Sequence, residues 1–123
     1  MENTCIFCNI IKNKKYEYEN DLAVAFSDGM PVSQGHMLVI PKRHCETYFD
    51  LTEEEIKAIF ALSQVIKKDL DQKYHPDGFN IGFNVKEAGG QSVFHTHMHI
   101  IPRYRGDVEN PRGGIRKVVK IKK

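Results

Sequence analysis

The sequence predicts an α+β domain in which one long helix and a short N-terminal helix pack on an antiparallel sheet of about five strands. Three observations predict it: short apolar or alternating segments recur, a single long segment has helical periodicity, and turn residues separate them. Strands with one main helix are typical of an antiparallel sheet with a helix on one face. With 123 residues, the chain has room for a single domain.

The first predicted element is a short helix over residues 4–13. Thr4 is placed to cap its N-terminus, and apolar residues supply one of its faces. Cys5 and Cys8 lie three positions apart and therefore face the same way on this helix.

A hairpin and a third strand are predicted next. Tyrosine and glutamate alternate over residues 16–19, a turn follows at residues 20–21, and residues 22–26 form an apolar strand. After a break, residues 36–40 are again strand-like, and Pro41 ends that segment.

The long helix is predicted to begin after Thr52. Thr52 and Glu55 have the spacing of a capping box, and acidic residues in the first turn suit the helix dipole. Apolar residues then recur at steps of three and four for about five turns. They are Ile56, Ile59, Phe60, Leu62, Ile66 and Leu70. Turn residues at 75–78 end the helix, and alternating residues 79–84 predict the fourth strand.

Three histidines at alternate positions predict the last strand. On a strand, His95, His97 and His99 share one face, whereas a helix would scatter them around its axis. At a rise of ~3.3 Å per residue, the first and the third would lie about 13 Å apart. One metal ion held by all three is therefore not expected, although two adjacent histidines could share one.

The loop before this strand favours a phosphate site. Gly89 and Gly90 allow close backbone approach, and Gln91 and Ser92 could donate to phosphate oxygens. Imidazole beside phosphate can act as nucleophile, electrostatic clamp or proton donor. A nucleotidyl-transfer or phosphoryl-transfer site is a consistent hypothesis.

Charge and hydropathy limit the partners. The net charge is +2, but residues 103–123 carry +6 and the rest of the chain −4. Nucleic-acid binding would need a basic stripe on the folded body, so we expect no such partner. The basic end is interpreted as solvated, or as an edge strand over residues 118–121. No apolar run is typical of a membrane span or signal peptide, so we expect no membrane partner and a cytoplasmic location.

The three cysteines are Cys5, Cys8 and Cys45. This odd number argues against a disulfide framework. The Cys5-x-x-Cys8 pair is a metal half-site, a redox pair, or a coincidence of two small buried residues. Roles for Cys45, His36 and His75 stay open.

Residues 91–101, Gln-Ser-Val-Phe-His-Thr-His-Met-His-Ile-Ile, closely resemble the motif of the histidine triad family. Further similar segments cover roughly residues 4–104. They are Ile6-Phe7, Ala25 to Asp28, Gly35 to His44, and Asn84. Thr96 departs from the motif, which prefers an apolar residue there. The resemblance implies a histidine triad domain over residues 1–104 and a homodimer whose sheets join, whereas the basic tail over 105–123 lies outside it.

The family consists of nucleotide hydrolases and transferases that act on α-phosphates. For this chain, the resemblance implies His97 as the nucleophile, His99 at the phosphate, and the His95 carbonyl orienting His97. Ser92 would be catalytic and would bind the leaving group together with Gln91 and Asn84. Asp28 would bind the ribose, while Ile6, Phe7, Ile10 and Phe26 would form the base pocket.

The resemblance also implies a metal site. Cys5 and Cys8 would hold a structural zinc together with His44 and His95, whereas the chemistry itself would need no cofactor.

The leading hypothesis is a purine-nucleotide hydrolase that acts through a covalent nucleotidyl-histidine. Its substrates would be nucleoside phosphoramidates, adenylyl conjugates or dinucleoside polyphosphates. The alternative is a nucleotide-binding, zinc-stabilised interaction module with weak hydrolysis. A redox protein that uses Cys5 and Cys8 is a third hypothesis.

Overall fold

The computed structural model describes residues 4–120, which form two helices and a five-stranded sheet. Along the chain the elements are α1 (Ile6–Lys12), β1 (Tyr18–Glu19), β2 (Ala23–Ser27), β3 (Met37–Pro41), α2 (Glu53–Tyr74), β4 (Gly78–Phe83) and β5 (Met98–Arg103). Short 3-10 helices occur at Tyr48–Asp50, Glu87–Gly89 and Gly114–Val118.

The strands form one antiparallel sheet in the order β1-β2-β3-β5-β4. The predicted α+β class, the short first helix and the single long helix are confirmed. None of the helices in residues 4–120 has the length and apolar character needed to span a bilayer.

Side-chain alternation divides the buried residues between the two faces of the sheet. In β2, Ala23 and Ala25 belong to the core beneath α2, whereas Val24 and Phe26 pack with Phe7 on the opposite face. The sheet therefore has α2 on one side and the shorter α1 on the other. The residues predicted to bind nucleotide lie on the α1 side.

The loop before β3 depends on a glycine. Gly35 has φ +91°, and a Cβ there would lie 3.0 Å from side-chain carbons of Leu70 and Tyr74 on α2. A side chain would meet both backbone strain and steric overlap at this position. This close packing places the next residue, His36, directly before β3, where its side chain is buried.

The predicted caps are correct for α2 and wrong for α1. Thr52 and Glu55 form the predicted capping box, with each side chain bonded to the other's backbone N–H. Helix α1 begins at Ile6, and its cap is Cys5 rather than Thr4, because the Cys5 sulfur accepts the N–H of Cys8. The helix is therefore shorter than predicted.

The predicted histidine strand is also shorter than the motif. Strand β5 begins at Met98, so His95, which lies in a bend, and His97 both precede it. If the pairing with β3 continued, Pro41 would lie opposite Thr96, but proline has no N–H to donate. The N–H and hydroxyl of Thr96 instead donate to the carbonyl of Cys45, at 2.8 and 3.0 Å.

The basic tail follows β5 and, as far as residue 120, does not form the edge strand that was one of its two interpretations. Gly114–Val118 is a short 3-10 helix instead, and Ile121 lies outside the described residues. Near the start of the tail, Asp107 accepts two hydrogen bonds from Arg103, each 2.8 Å long. These bonds fold the first tail residues back against the end of β5.

Candidate functional site

A cleft of about 900 Å³ opens on the α1 side of the sheet. Helix α1 and β2 supply its apolar wall, and β5 with the preceding segment supplies imidazoles. Most of the predicted site residues line it, namely Ile6, Phe7, Ile10, Phe26, Asp28, Asn84, Ser92, His97 and His99. Gln91 and His95 lie behind this lining.

His97 has a defined tautomer because of the backbone beside it. Its Nδ1 lies 2.9 Å from the carbonyl oxygen of His95, and a carbonyl can only accept, so Nδ1 carries the proton. In this tautomer, Nε2 has no proton and its lone pair is available. The Phe7 ring meets the imidazole edge to face, with centroids 5.1 Å apart, and the side chain is buried. The backbone carbonyl and the Phe7 ring together fix the orientation of this imidazole.

A relay of hydrogen bonds defines the tautomer of His99 in the same way. The backbone N–H of Val32 donates to His36 Nδ1 at 3.2 Å, so the proton of a neutral His36 lies on Nε2. That Nε2 is 2.9 Å from His99 Nδ1 and 3.3 Å from a carboxylate oxygen of Asp28. His36 therefore donates to His99, which keeps its own proton on Nε2. That proton can bind an anion in the cleft.

Burial keeps both members of this relay neutral. Desolvation lowers the pKa of His36, and the Asp28 carboxylate opposes part of that effect. Desolvation also lowers the pKa of His99, with further lowering from the neighbouring His97 and His36. Near neutral pH, His99 is therefore a neutral hydrogen-bond donor. No role for His36 could be predicted from local pattern, because its partner His99 lies 63 positions away along the chain.

Asp28, His36 and His99 also have the composition of a metal site, with their ligand atoms grouped together. The tautomers argue against one. To bind a cation, His36 Nε2 would have to release its proton, and the proton would move to Nδ1, where the N–H of Val32 already donates. We therefore interpret this group as a hydrogen-bond relay.

The loop before the histidine segment is held by Gln91, whose side chain is buried. Its Oε1 accepts the N–H of Lys86 at 2.8 Å, and its amide donates to the carbonyls of Val93 and Glu46. Gly90, at φ +92°, completes the turn. These bonds occupy the Gln91 amide with the chain's own backbone.

Ser92 and Asn84 reach the cleft from either side of this loop. Both residues are exposed and line the cleft together with His97 and His99. Asp28 lies farther along the cleft, where one carboxylate oxygen accepts the N–H of Met30 at 2.8 Å. These side chains provide a neutral polar end and a single carboxylate.

The apolar end of the cleft combines core and surface residues. Phe7 and Phe26 are buried, and their rings meet edge to face with centroids 5.4 Å apart. Ile6 is 55% exposed, which is high for a large apolar side chain. This end can therefore bury a flat apolar group against α1.

Behind the cleft, Cys5, Cys8, His44 and His95 bring four ligand atoms together. Zn²⁺ with bonds of about 2.3 Å to sulfur and 2.05 Å to nitrogen in tetrahedral geometry would separate S and N by about 3.6 Å. The Sγ–Nδ1 distances are 3.6 Å for Cys5–His95, 3.5 Å for Cys8–His95 and 3.3 Å for Cys8–His44. The four residues fit a tetrahedral zinc ion.

His95 is oriented as a metal ligand. Its Nε2 lies 2.9 Å from the carbonyl oxygen of Pro41 and donates to it, which leaves the Nδ1 lone pair facing the cysteines. Burial lowers the pKa of His95, which keeps the imidazole neutral. A neutral ligand with a fixed second nitrogen is typical of histidine at zinc sites. The other imidazole, His44, is exposed.

Together, the sheet, the histidine-lined cleft and the adjacent Cys₂His₂ group define a small α+β protein with a site for an anionic ligand. The HIT domain family model matches residues 11–106. The chain therefore belongs to the HIT family, which includes nucleotide hydrolases, and the resemblance noted in the sequence is confirmed.

Solved structures and a characterised relative are also similar to this chain. A HIT family protein from Bacillus anthracis is 40% identical, with a TM-score of 0.80 over 87% of this chain and 78% of that one. A zinc-bound histidine triad protein from Mycobacterium smegmatis is 35% identical, with a TM-score of 0.77 over 85% and 78%. The adenylylsulfatase HINT3 of Arabidopsis thaliana is 36% identical over 87% of this chain and 56% of its own length.

Proposed function

We propose that the protein is a nucleotide hydrolase that acts at the α-phosphate through a covalent nucleotidyl-histidine on His97. One observation carries the proposal: the His95 carbonyl holds the Nδ1 proton of His97 and so leaves Nε2 unprotonated in the cleft. A neutral imidazole held in this tautomer can attack phosphorus without first losing a proton.

The reaction proceeds in two displacements. In the first, the Nε2 lone pair of His97 bonds to the α-phosphorus as the bond to the leaving group breaks, with Ser92 and Asn84 beside the departing group. In the second, water attacks the same phosphorus, the P–Nε2 bond breaks and its electron pair returns to Nε2, while the proton that the water loses passes to solvent. Gln91, whose amide is bonded to backbone, holds the loop that presents Ser92.

The remaining cleft residues bind the nucleotide. His99 donates its Nε2 proton to a non-bridging phosphate oxygen, whose negative charge this hydrogen bond stabilises. Asp28 accepts hydrogen bonds from the ribose hydroxyls. Ile6, Phe7 and Phe26 enclose a purine base. The substrates are purine nucleoside phosphoramidates, adenylyl conjugates or dinucleoside polyphosphates, and the adenylylsulfatase relative supports the second class.

Zinc has a structural role in this proposal. Cys5, Cys8, His44 and His95 would hold it, and the bound ion would fix α1 to the segment before β5. The zinc-bound relative from Mycobacterium smegmatis supports this assignment. The nucleotidyl transfer itself uses only imidazole, hydroxyl and amide groups of the chain.

We also propose a homodimer that joins two sheets through β4. This strand lies at the edge of the sheet, and Gly78–Phe83 contains no charged residue that would discourage pairing. Beside it, an apolar groove is lined by residues of α2 and β4 that include Ile56, Phe60 and Ile81, which are 40%, 62% and 47% exposed. A second copy of this edge and groove would cover both.

Rapid-quench labelling tests the chemistry. Adenosine 5′-phosphoramidate labelled at the phosphorus should give an acid-labile protein adduct before steady-state turnover. His97→Ala should give no adduct and should still bind AMP, while His75→Ala should behave like the native protein. Turnover without an adduct would exclude the nucleophile assignment. Tight AMP binding with negligible hydrolysis across the substrate classes would favour the interaction-module alternative.

A further inference from the structure

Helix α1 belongs to two sites at once. Within its seven residues, Ile6, Phe7 and Ile10 line the cleft, and Cys8 supplies a sulfur to the metal group. Cys5, which supplies the other sulfur, is the N-cap residue of the same helix. A helix this short has little stability of its own and depends on its packing contacts.

The second connection between the two sites runs through His95. Its side chain faces the two cysteines through Nδ1, while its backbone carbonyl accepts the Nδ1 proton of His97. One residue is thus both a metal ligand and the backbone partner of an imidazole in the cleft. A shift of His95 would change the position of that carbonyl.

We propose that Cys5, Cys8 and His95 are positioning residues, and that zinc bound to them sets the affinity of the cleft for nucleotide by fixing α1 to the segment before β5. The proposal rests on the nucleotide site proposed above. Zinc holds the apolar wall in place through α1, so the nucleotide binds a preorganised cleft. Without zinc, the nucleotide must order α1 as it binds.

Thermodynamic linkage makes this proposal testable without measuring catalysis. If zinc raises the affinity for a nucleotide, the nucleotide raises the affinity for zinc by the same factor. We expect that factor to be about tenfold, within the usual range of coupling between sites. If the ion had no effect on the cleft, this factor would be one, and neither ligand would change the affinity for the other.

The first experiment measures zinc release from the native, zinc-loaded protein into excess chromophoric chelator. Saturating AMP should slow the release about tenfold, and amide hydrogen exchange of Ile6–Lys12 should slow with it. Equal release rates with AMP bound and AMP absent would overturn the inference and leave the proposed function intact. A zinc-loaded protein that does not bind AMP at all would overturn both. This measurement does not require a folded zinc-free state.

A double-mutant cycle tests the route through α1. Ile10→Ala should weaken AMP binding to zinc-loaded protein about tenfold, and much less to zinc-free protein, where the wall is already displaced. Val65→Ala, on the exposed side of α2, is the matched control and should leave AMP binding unchanged in both states. Equal losses for Ile10→Ala with and without zinc would exclude α1 as the connection. Far-UV circular dichroism would establish that α2 remains folded in each state.

Discussion

Replacing His36 with asparagine tests the hydrogen-bond relay that assigns His99 its role. The asparagine side chain is shorter than imidazole and cannot span from Val32 to His99. Without the donor 2.9 Å from its Nδ1, His99 can place its proton on either nitrogen. A fraction of molecules would then face the phosphate with a lone pair instead of an N–H. The His36→Asn variant should therefore transfer the nucleotidyl group more slowly.

The size of the effect follows from the bond that is lost. A hydrogen bond to a charged group contributes about 2 kcal/mol. Because each 1.36 kcal/mol changes a rate tenfold, loss of this bond in every molecule would lower kcat/KM about 30-fold, which is the upper limit for this variant. His97 keeps its own partner, the His95 carbonyl, so adduct formation should slow but persist.

The assay is the single-turnover rate of adduct formation on His97, with AMP affinity and melting temperature measured alongside. His75→Asn is the matched control, because His75 is exposed and its φ of 54° suits asparagine. It should change the rate by less than about twofold. His36→Gln is longer than asparagine, and its amide N–H should restore part of the lost rate.

Two results would contradict the relay. A His36→Asn variant that forms the adduct within threefold of the native rate would show that His99 needs no partner. Equal losses in His36→Asn and His36→Gln, in proportion to lost stability, would show that His36 acts only by filling the core, since it is buried.

Three further predictions concern pH, metal and assembly. Burial lowers the pKa of His36 and His99 below 6.5, so the unfolded chain binds more protons than the folded one. Stability to urea should therefore fall as pH drops below about 6.5, and it should fall less steeply in His36→Asn. A stability profile that stays flat to pH 5 would contradict this prediction. Cys8→Ser should abolish stoichiometric zinc by metal analysis and lower Tm by about 10 °C, whereas Cys45→Ser should keep the metal. Ile81→Lys should give monomers by sedimentation, and unchanged dimers would exclude pairing through β4.

Local pattern predicted the elements well because it depends on neighbours in the chain. The alternation of Met98, His99 and Ile100 indicated a strand, and their side chains do divide between the two faces. The spacing of apolar residues after Thr52 likewise predicted α2. In both cases burial on one face imposes the period of the backbone on the sequence.

The errors arose at hydrogen bonds that the pattern of apolar and polar residues does not indicate. The strand begins at Met98 rather than at His95 because Thr96 bonds to Cys45, which is 51 positions away. The cap of α1 is one residue later than expected because the Cys5 sulfur accepts the backbone N–H of Cys8, although cysteine is not among the residues that usually cap helices. The contact of Thr96 with Cys45 joins distant segments and therefore has no signal in the local pattern.

The roles of the histidines follow from backbone atoms more than from the motif. The Pro41 carbonyl accepts a hydrogen bond from Nε2 of His95, which leaves Nδ1 for a metal. The His95 carbonyl accepts one from Nδ1 of His97, which leaves Nε2 for the cleft. The N–H of Val32 places the proton of His36 on Nε2, from which it reaches His99.

By spacing alone, the three motif imidazoles are equivalent. They differ in which ring nitrogen is already bonded to a neighbouring group, and the other nitrogen of each ring is the one available for chemistry. A substitution that moves one of these backbone groups should therefore change the chemistry of a histidine it does not replace. The segments that hold these groups, around Val32, Pro41 and His95, are then as much a part of the site as the imidazoles.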